Sequence, residues 1–481
     1  MRSVPFSTFF VFALAMSYIL NASGQHPERR GIGMLDPKLV ASLGEKAKLA
    51  AIISIDERKS LFVTDIAILE NFKFDDVMAR LARDSGDPKL TKETLFVQWW
   101  DTANKKGMPP NPGLGLGPNC EDKFNDFKFK CPRAMEGAQV KLNPFGAPPF
   151  DAPNPKPEDD AKYFAIALSN RFDLAGLPSV GGEDCGEYRI VFARRSGINN
   201  TSNRNLIIFE AVLPNPKPNK KDLTGCLPVQ QFWAALTKNA DITDRAKKLR
   251  QFYFDGIPGF APVVRARHYG NATRLAKGQI RTNQFMEPNW LLREFRVAQN
   301  GKKMTILQST VKSNPAGLLF DETNSHSKTA AFRSNLLQQV KSLSVADLNK
   351  FGMPTIQDTF NSGESDEMND DNSYVKQFAK SPKLAADIQK ALGSSKLTPQ
   401  QIVKRAQALS CAGCHDLSNG EDLGDGLEWP KSMRFVHQSE KRTDLEVAPG
   451  ELQKTRFGIS QALRDVFLPF RKSLVEKFLG S

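Results

Sequence analysis

The residues best able to do chemistry stand at Cys411-Ala412-Gly413-Cys414-His415, the only C-x-x-C-H in 481 residues. Two thiols about one helical turn apart can each add to a vinyl group of one haem. The histidine that follows directly is then held where its imidazole can ligate the iron. With six Cys and five His in the chain, the pattern should arise by chance only about once in a thousand such compositions. The spacing predicts one covalently attached haem c held by Cys411, Cys414 and His415, with His415 as the proximal iron ligand. Two other uses of these residues stay open. Cys411 and Cys414 could form a redox disulfide, although the βαβ pattern that accompanies such motifs is missing. They could bind zinc with His437, although the second ligand pair lacks the usual spacing.

The sixth iron position would set the chemistry. A Met or His closes the iron for electron transfer, whereas an open position admits peroxide, O₂ or other small ligands. The candidates lie in Trp429-Pro430-Lys431-Ser432-Met433-Arg434-Phe435-Val436-His437. His437 is the possible distal ligand and Met433 the alternative, the last Met of the chain. The other histidines are His26, His268 and His326. No G-x-S-x-G, H-E-x-x-H, P-loop or Rossmann fingerprint is present, and Gly113-Leu114-Gly115-Leu116-Gly117 reads as a loop with no strand before it. No catalytic residue is marked, and whether the chain is an enzyme stays open. Arg281, Asn283 and Gln284 are candidates to line a polar pocket.

Arg2, the apolar run Phe9 to Leu20 and Ala22-Ser23-Gly24 have the order of a secretory signal over residues 1–24. The expected destination is the periplasm or beyond, without a transmembrane anchor, because the run is too short for a stop-transfer helix. That compartment is where a c-type haem is attached. The formal net charge is +13. Lys and Arg are scattered, with no basic helix interleaved with aromatics, so no nucleic-acid partner is expected; a redox partner protein is. Cys120, Cys131, Cys185 and Cys226 make an even remainder, read as two disulfides in an oxidising compartment. Cys120–Cys131 and Cys185–Cys226 are favoured among three connectivities because each closes a local loop.

These residues must be positioned by an α+β chain with a helical N-terminal region over 25–142, then a Pro-rich linker over 143–157. An antiparallel-sheet middle domain follows over 158–330. It is read as opening with a helix from 158 to 170, and strands are expected near 188–193, 205–213, 279–286, 290–297 and 304–311. Helices are expected at 229–236 and 242–254, and Asn300-Gly301 marks a hairpin. A helical connector spans 331–396, interrupted by an acidic stretch, Glu364 to Asp371, read as a solvated loop. An all-α haem domain closes the chain over 397–481. Its first helix has Thr398 as N-cap, Pro399 at the first helical position and Gln401 completing a capping box.

A helix ending in C-x-x-C-H, a Gly-rich loop and a closing helix resemble a class I cytochrome c domain over the last 85 or so residues. Asn170-Arg171-Phe172-Asp173, Cys185-Gly186-Glu187-Tyr188-Arg189-Ile190 and Gly278-Gln279-Ile280-Arg281-Thr282-Asn283-Gln284-Phe285 also resemble a set of large exported bacterial haem-c proteins. The resemblance implies haem and export, and supplies no substrate. Cytochrome c domains take their distal Met from a loop further downstream, a pattern from which this chain departs. Three functions follow as expectations, in order: an electron-transferring mono-haem cytochrome, a haem-dependent oxidoreductase acting on a substrate bound by the middle domain, and a binding protein with a structural haem.

Overall fold

The computed structural model describes residues 54–97, 123–128, 143–149, 156–175, 182–218, 222–270, 278–284, 290–366, 372–441 and 455–480. The signal segment 1–24, the glycine run 113–117, Cys120 and Cys131 lie outside the described residues. The strands among the described residues are β1 (Phe62–Val63), β2 (Lys123–Phe124), β3 (Phe127–Lys128), β4 (Tyr163–Arg171), β5 (Asp184–Arg194), β6 (Asn205–Pro214), β7 (Gln279–Gln284), β8 (Leu291–Asn300), β9 (Lys303–Ser309) and β10 (Glu364–Asp366). Strands β2 and β3 form a small hairpin. The other eight form one antiparallel sheet in the order β1-β4-β5-β6-β7-β8-β10, with β9 beside β10 along the outer edge of β8. The longer helices are α1 (Phe74–Asp84), α2 (Leu227–Lys238), α3 (Ile242–Phe254), α4 (Thr329–Leu343), α5 (Pro382–Leu392), α6 (Pro399–Ala408) and α7 (Leu468–Leu479). The mixture of helix and antiparallel sheet is α+β, as expected.

Alternation along the strands divides the sheet into two unlike faces. On one face, Leu168, Ile190, Phe209, Ile280 and Phe295 stand side by side across β4 to β8. Aromatic rings cover it. Phe74 of α1 stacks on Tyr163 and meets Phe192 edge-on, while Trp233 of α2 and Phe252 of α3 close over Tyr188. On the other face the same strands carry Ser169, Arg189, Glu210 and Gln279 in one row, and Ile208, Arg281 and Glu294 in the next. The C-terminal third of the chain packs over that charged face.

Residues 163–171 form strand β4, not the helix read there. Tyr-Phe-Ala-Ile-Ala-Leu is a continuous apolar run, which periodicity cannot assign to helix or strand when both faces are buried, and here pairing with β1 and β5 decides it. The described start of the acidic stretch, Glu364 to Asp366, also differs from the solvated loop expected, and 367–371 lie outside the described residues. Glu364, Ser365 and Asp366 are buried as β10 against β8, with Glu364 3.4 Å from Arg293. The remaining strands and both middle helices lie within a few residues of their expected places. Cys185 and Cys226 are joined, tying β5 to the start of α2. One buried apolar cluster runs from Ile55 to Phe478 through every segment listed above. Among the described residues no helix is long and apolar enough to cross a membrane.

His268, in the turn after α3, is buried with its Nδ1 3.0 Å from the Val263 carbonyl. Burial pushes its imidazole down to about 4, against the upward pull of that hydrogen bond and with Arg267 and Arg265 adding to the depression. An unfolded histidine takes up a proton near pH 6.5. Its stabilising contribution is therefore complete above that pH and is lost as pH falls toward 4, about 3 kcal/mol in all. Denaturant unfolding of His268→Gln should show a flatter pH dependence over this window than the parent. An identical slope would assign the acid loss to other groups.

Candidate functional site

The C-x-x-C-H turn is delivered by α6. Thr398 accepts from the Gln401 backbone N–H, and the Gln401 side chain returns the bond to the Thr398 backbone, completing the expected capping box. Arg405, wholly buried, anchors the helix to the carbonyls of Leu343 and Leu423 at 2.9 and 2.8 Å. At its C-terminus Ser410 Oγ donates to the Gln407 carbonyl and accepts from Gly413 N–H. The chain then widens into a π-helical turn, Gly413–Leu417. A Cβ on Gly413 would lie 1.8 Å from the Gln407 oxygen, so no other residue allows this approach. The Ala412 N–H donates to Ser365 Oγ of β10, at 3.0 Å. The turn is thereby fixed to the sheet edge.

His415 is held from several sides. Its Nδ1 lies 2.7 Å from the Phe435 carbonyl, which places the proton there and leaves the lone pair on Nε2. The same carbonyl accepts from Asn283 Nδ2 at 2.9 Å, and Asn283 in turn accepts from the Trp290 indole N–H. Trp290 stacks on His415 and on Phe435, with centroids 5.6 and 5.0 Å apart. Arg434 and Phe435 both have positive φ, 51° and 64°, and this turn is what carries the Phe435 carbonyl under the ring. Burial pushes the His415 imidazole down to about 4 against the pull of that hydrogen bond, and Arg281 and Arg189 depress it further. The ring is a neutral base.

Cys411 and Cys414 are free thiols. Burial raises them to about 11 and about 12. His437 lies against the same turn. Its ring is 4.8 Å from that of His415, its Nε2 is 3.5 Å from Cys414 Sγ, and its Nδ1 is 2.9 Å from Ser460 Oγ. Burial, then the neighbouring His415 and the Arg471 and Arg171 charges, hold it well below the usual histidine value. Met433 is elsewhere: it packs against the main apolar cluster and does not line the cavity described next.

Cys411, Cys414, His415 and His437 form one wall of a cavity of about 190 Å³. Phe62, Leu174, Val191, Ile208, Leu463 and Phe467 give it apolar sides. The charged sheet face supplies the rest, with Arg171, Glu187, Arg189, Gln279, Arg281 and Lys312, joined by Arg471 of α7. These charges interlock: Arg189 meets Glu187 at 2.6 Å and Glu210 at 3.1 Å, while Arg281 meets Glu294 at 3.1 Å and Glu210 at 3.5 Å. Arg281 is thereby raised, the attraction of Glu210 and Glu294 outweighing its desolvation. Among the described residues, no three His, Cys, Asp or Glu side chains converge on a bare metal ion.

No family model, curated protein or solved structure matches this chain. Its function must be read from the site.

Of the residues the sequence singled out, Cys411, Cys414, His415, His437 and Arg281 come together in the cavity, and Asn283 stands behind His415. The side chain of Gln284 lies outside the described part of the structure. The segments quoted for the resemblance contribute Arg171, Glu187, Arg189, Gln279 and Arg281 to one wall. Trp290, Phe435 and Arg471 carried no signal as site residues, since only the fold brings them to the turn. Gly413→Ala should displace this turn. It is expected to cost several kcal/mol, because backbone must move to clear the Gln407 oxygen; a chemical-denaturation midpoint equal to that of the parent would contradict the assigned packing.

Proposed function

We propose that this chain is an exported mono-haem c-type cytochrome that binds its haem through Cys411 and Cys414, with His415 as proximal ligand, and transfers electrons through it. The observation that carries the reading is the commitment of His415 Nδ1 to the Phe435 carbonyl, which leaves Nε2 as the free base beside two free thiols in one cavity. A haem-ligating histidine needs this division of its two nitrogens. The cavity walls also suit the group, apolar side chains for a macrocycle and cations for its carboxylates. When bound, haem c supplies a one-electron iron couple. The chain's own residues do the rest. Phe435, Asn283 and Trp290 orient the imidazole, and burial, aided by Arg281 and Arg189, keeps it unprotonated. His437 would be the second side chain to hold the iron, since it lines the cavity and Met433 does not.

A second reading, a haem-dependent oxidoreductase, is favoured by one observation. The wall facing the turn is charged and not apolar, which suits a polar substrate better than simple insulation of a carrier.

Replacing Cys411 and Cys414 with Ala should abolish the covalent haem that stays with the wild-type chain on a denaturing gel. Colour that survives the double substitution would refute attachment at this motif. In an optical spectrum, the wild-type chain matured with haem should be low-spin, with sharp bands after dithionite. His437→Ala should turn it high-spin and responsive to CO. A high-spin wild type would move the assignment to the oxidoreductase, and an unchanged variant would remove His437 from the iron.

A further inference from the structure

The charged wall of the cavity is out of balance. Among the described residues, the cations Arg171, Arg189, Arg281, Lys312 and Arg471 line it, and Glu187, Asp173, Glu210 and Glu294 are carboxylates that meet them. The deficit falls on Arg471. Its nearest carboxylate is Asp173 at 3.6 Å, but both oxygens of Asp173 are already held by Arg171 at 2.7 and 2.9 Å. Arg471 is only 6% exposed. A guanidinium in such a place is costly unless a further anion pairs it. Burial and the nearby Arg171 accordingly push Arg471 down to about 9. The planar fork of Arg471 borders the cavity and suits bidentate recognition of a carboxylate, whereas the neighbouring Arg189 is held by Glu187 and Glu210.

We infer that this wall is a carboxylate-binding site, in which Arg471 takes the anionic end of a ligand whose body lies toward the Cys411–His415 turn. The chemistry has two sources, a free organic acid or the carboxylates of a haem attached at that turn. Only the second rests on the function proposed above.

The test uses the full chain matured with haem, titrated with succinate against potassium chloride at matched ionic strength, with the unfolding temperature as readout. Arg471→Met is the companion, a near-isosteric change that leaves Asp173 paired with Arg171. A rise of several degrees with succinate in the matured chain, lost in Arg471→Met, assigns the site to a free organic acid. No response there, but a rise in the chain made without haem that Arg471→Met again removes, assigns it to the haem carboxylates. If the haem-free chain does not fold, the pH dependence of the iron midpoint potential in the matured chain decides the second case. It should move to higher pH in Arg471→Met, because a carboxylate that loses its cation ionises later. Succinate silent in both forms with an unmoved pH dependence overturns the inference, as does an Arg471→Met response equal to the parent's. A chain that carries no covalent haem on a denaturing gel retires the haem reading alone, and the succinate titration still decides this one.

Discussion

Arg189, Glu210, Arg281 and Glu294 stand in alternating sign across β5 to β8, in contacts of 3.1 to 3.5 Å, on a face the chain has taken out of water. Removing one member of such a set typically costs about 3–5 kcal/mol, because its partner is left as a buried uncompensated charge. The arrangement also fixes register. A slip of one residue in any of the four strands would carry its charge to the opposite face, among Phe192, Phe209 and Tyr269, where no counter-charge waits. Both faces thus enforce the same pairing, one by aromatic packing and the other by ion pairing. Helices over the aromatic side follow because that face cannot be left to solvent, and the C-terminal third covers the charged side.

The turn that carries Cys411 to His415 depends on a second constraint, the carbonyl of Phe435. That oxygen meets His415 Nδ1 from one side and Asn283 Nδ2 from the other. It reaches this position only because two consecutive non-glycine residues, Arg434 and Phe435, adopt left-handed backbone conformations. Such residues typically cost about 1–3 kcal/mol each and persist where the surroundings over-determine them. Here the surroundings are the Trp290 stack, the Ser432 hydroxyl on the His415 carbonyl, and the Phe435 N–H on that same carbonyl. Strain in the loop offsets freedom in the imidazole. A ring locked in one tautomer and one orientation is what any ligand or base role for His415 requires.

The parts of this arrangement that were legible in the sequence are the local ones. The capping box at Thr398 and the helix that ends at Ala408 are set by residues within one or two turns of each other, and so is the C-x-x-C-H spacing itself. The Asn300-Gly301 signal likewise marks the β8–β9 hairpin, although Gly301 and Lys302 form its tip and Asn300 pairs with Lys303. What failed was decided at a distance. Tyr163 to Arg171 reads equally as helix or strand until β1 and β5 claim it. Glu364 to Asp366 reads as a solvated loop because the partner that makes burial tolerable, Arg293, lies 71 residues earlier. The cavity wall shows the same limit. Arg281 and Asn283 were visible as polar residues in a strand, but Arg471 looks like any basic residue of a closing helix until that helix is laid across the sheet.

Segment boundaries suggested by composition are crossed by the contacts that hold the site. Ser365 of β10 receives the Ala412 N–H, Asn283 of β7 supports the loop carbonyl under His415, and Arg204 next to β6 pairs with the fully buried Glu440 at 2.6 Å. Arg456 reaches Asp65 at 3.2 Å, and the Phe457 N–H bonds the Thr64 carbonyl beside β1. Cut at residue 397, the C-terminal segment would lose Arg204 from Glu440, Asp173 from Arg471 and the ring that stacks on His415. The C-x-x-C-H turn is therefore not a self-sufficient unit joined to a neighbour. The electrostatic surroundings of Cys411, Cys414 and His415 are written largely in β4 to β8, so the properties of this turn belong to the whole sheet.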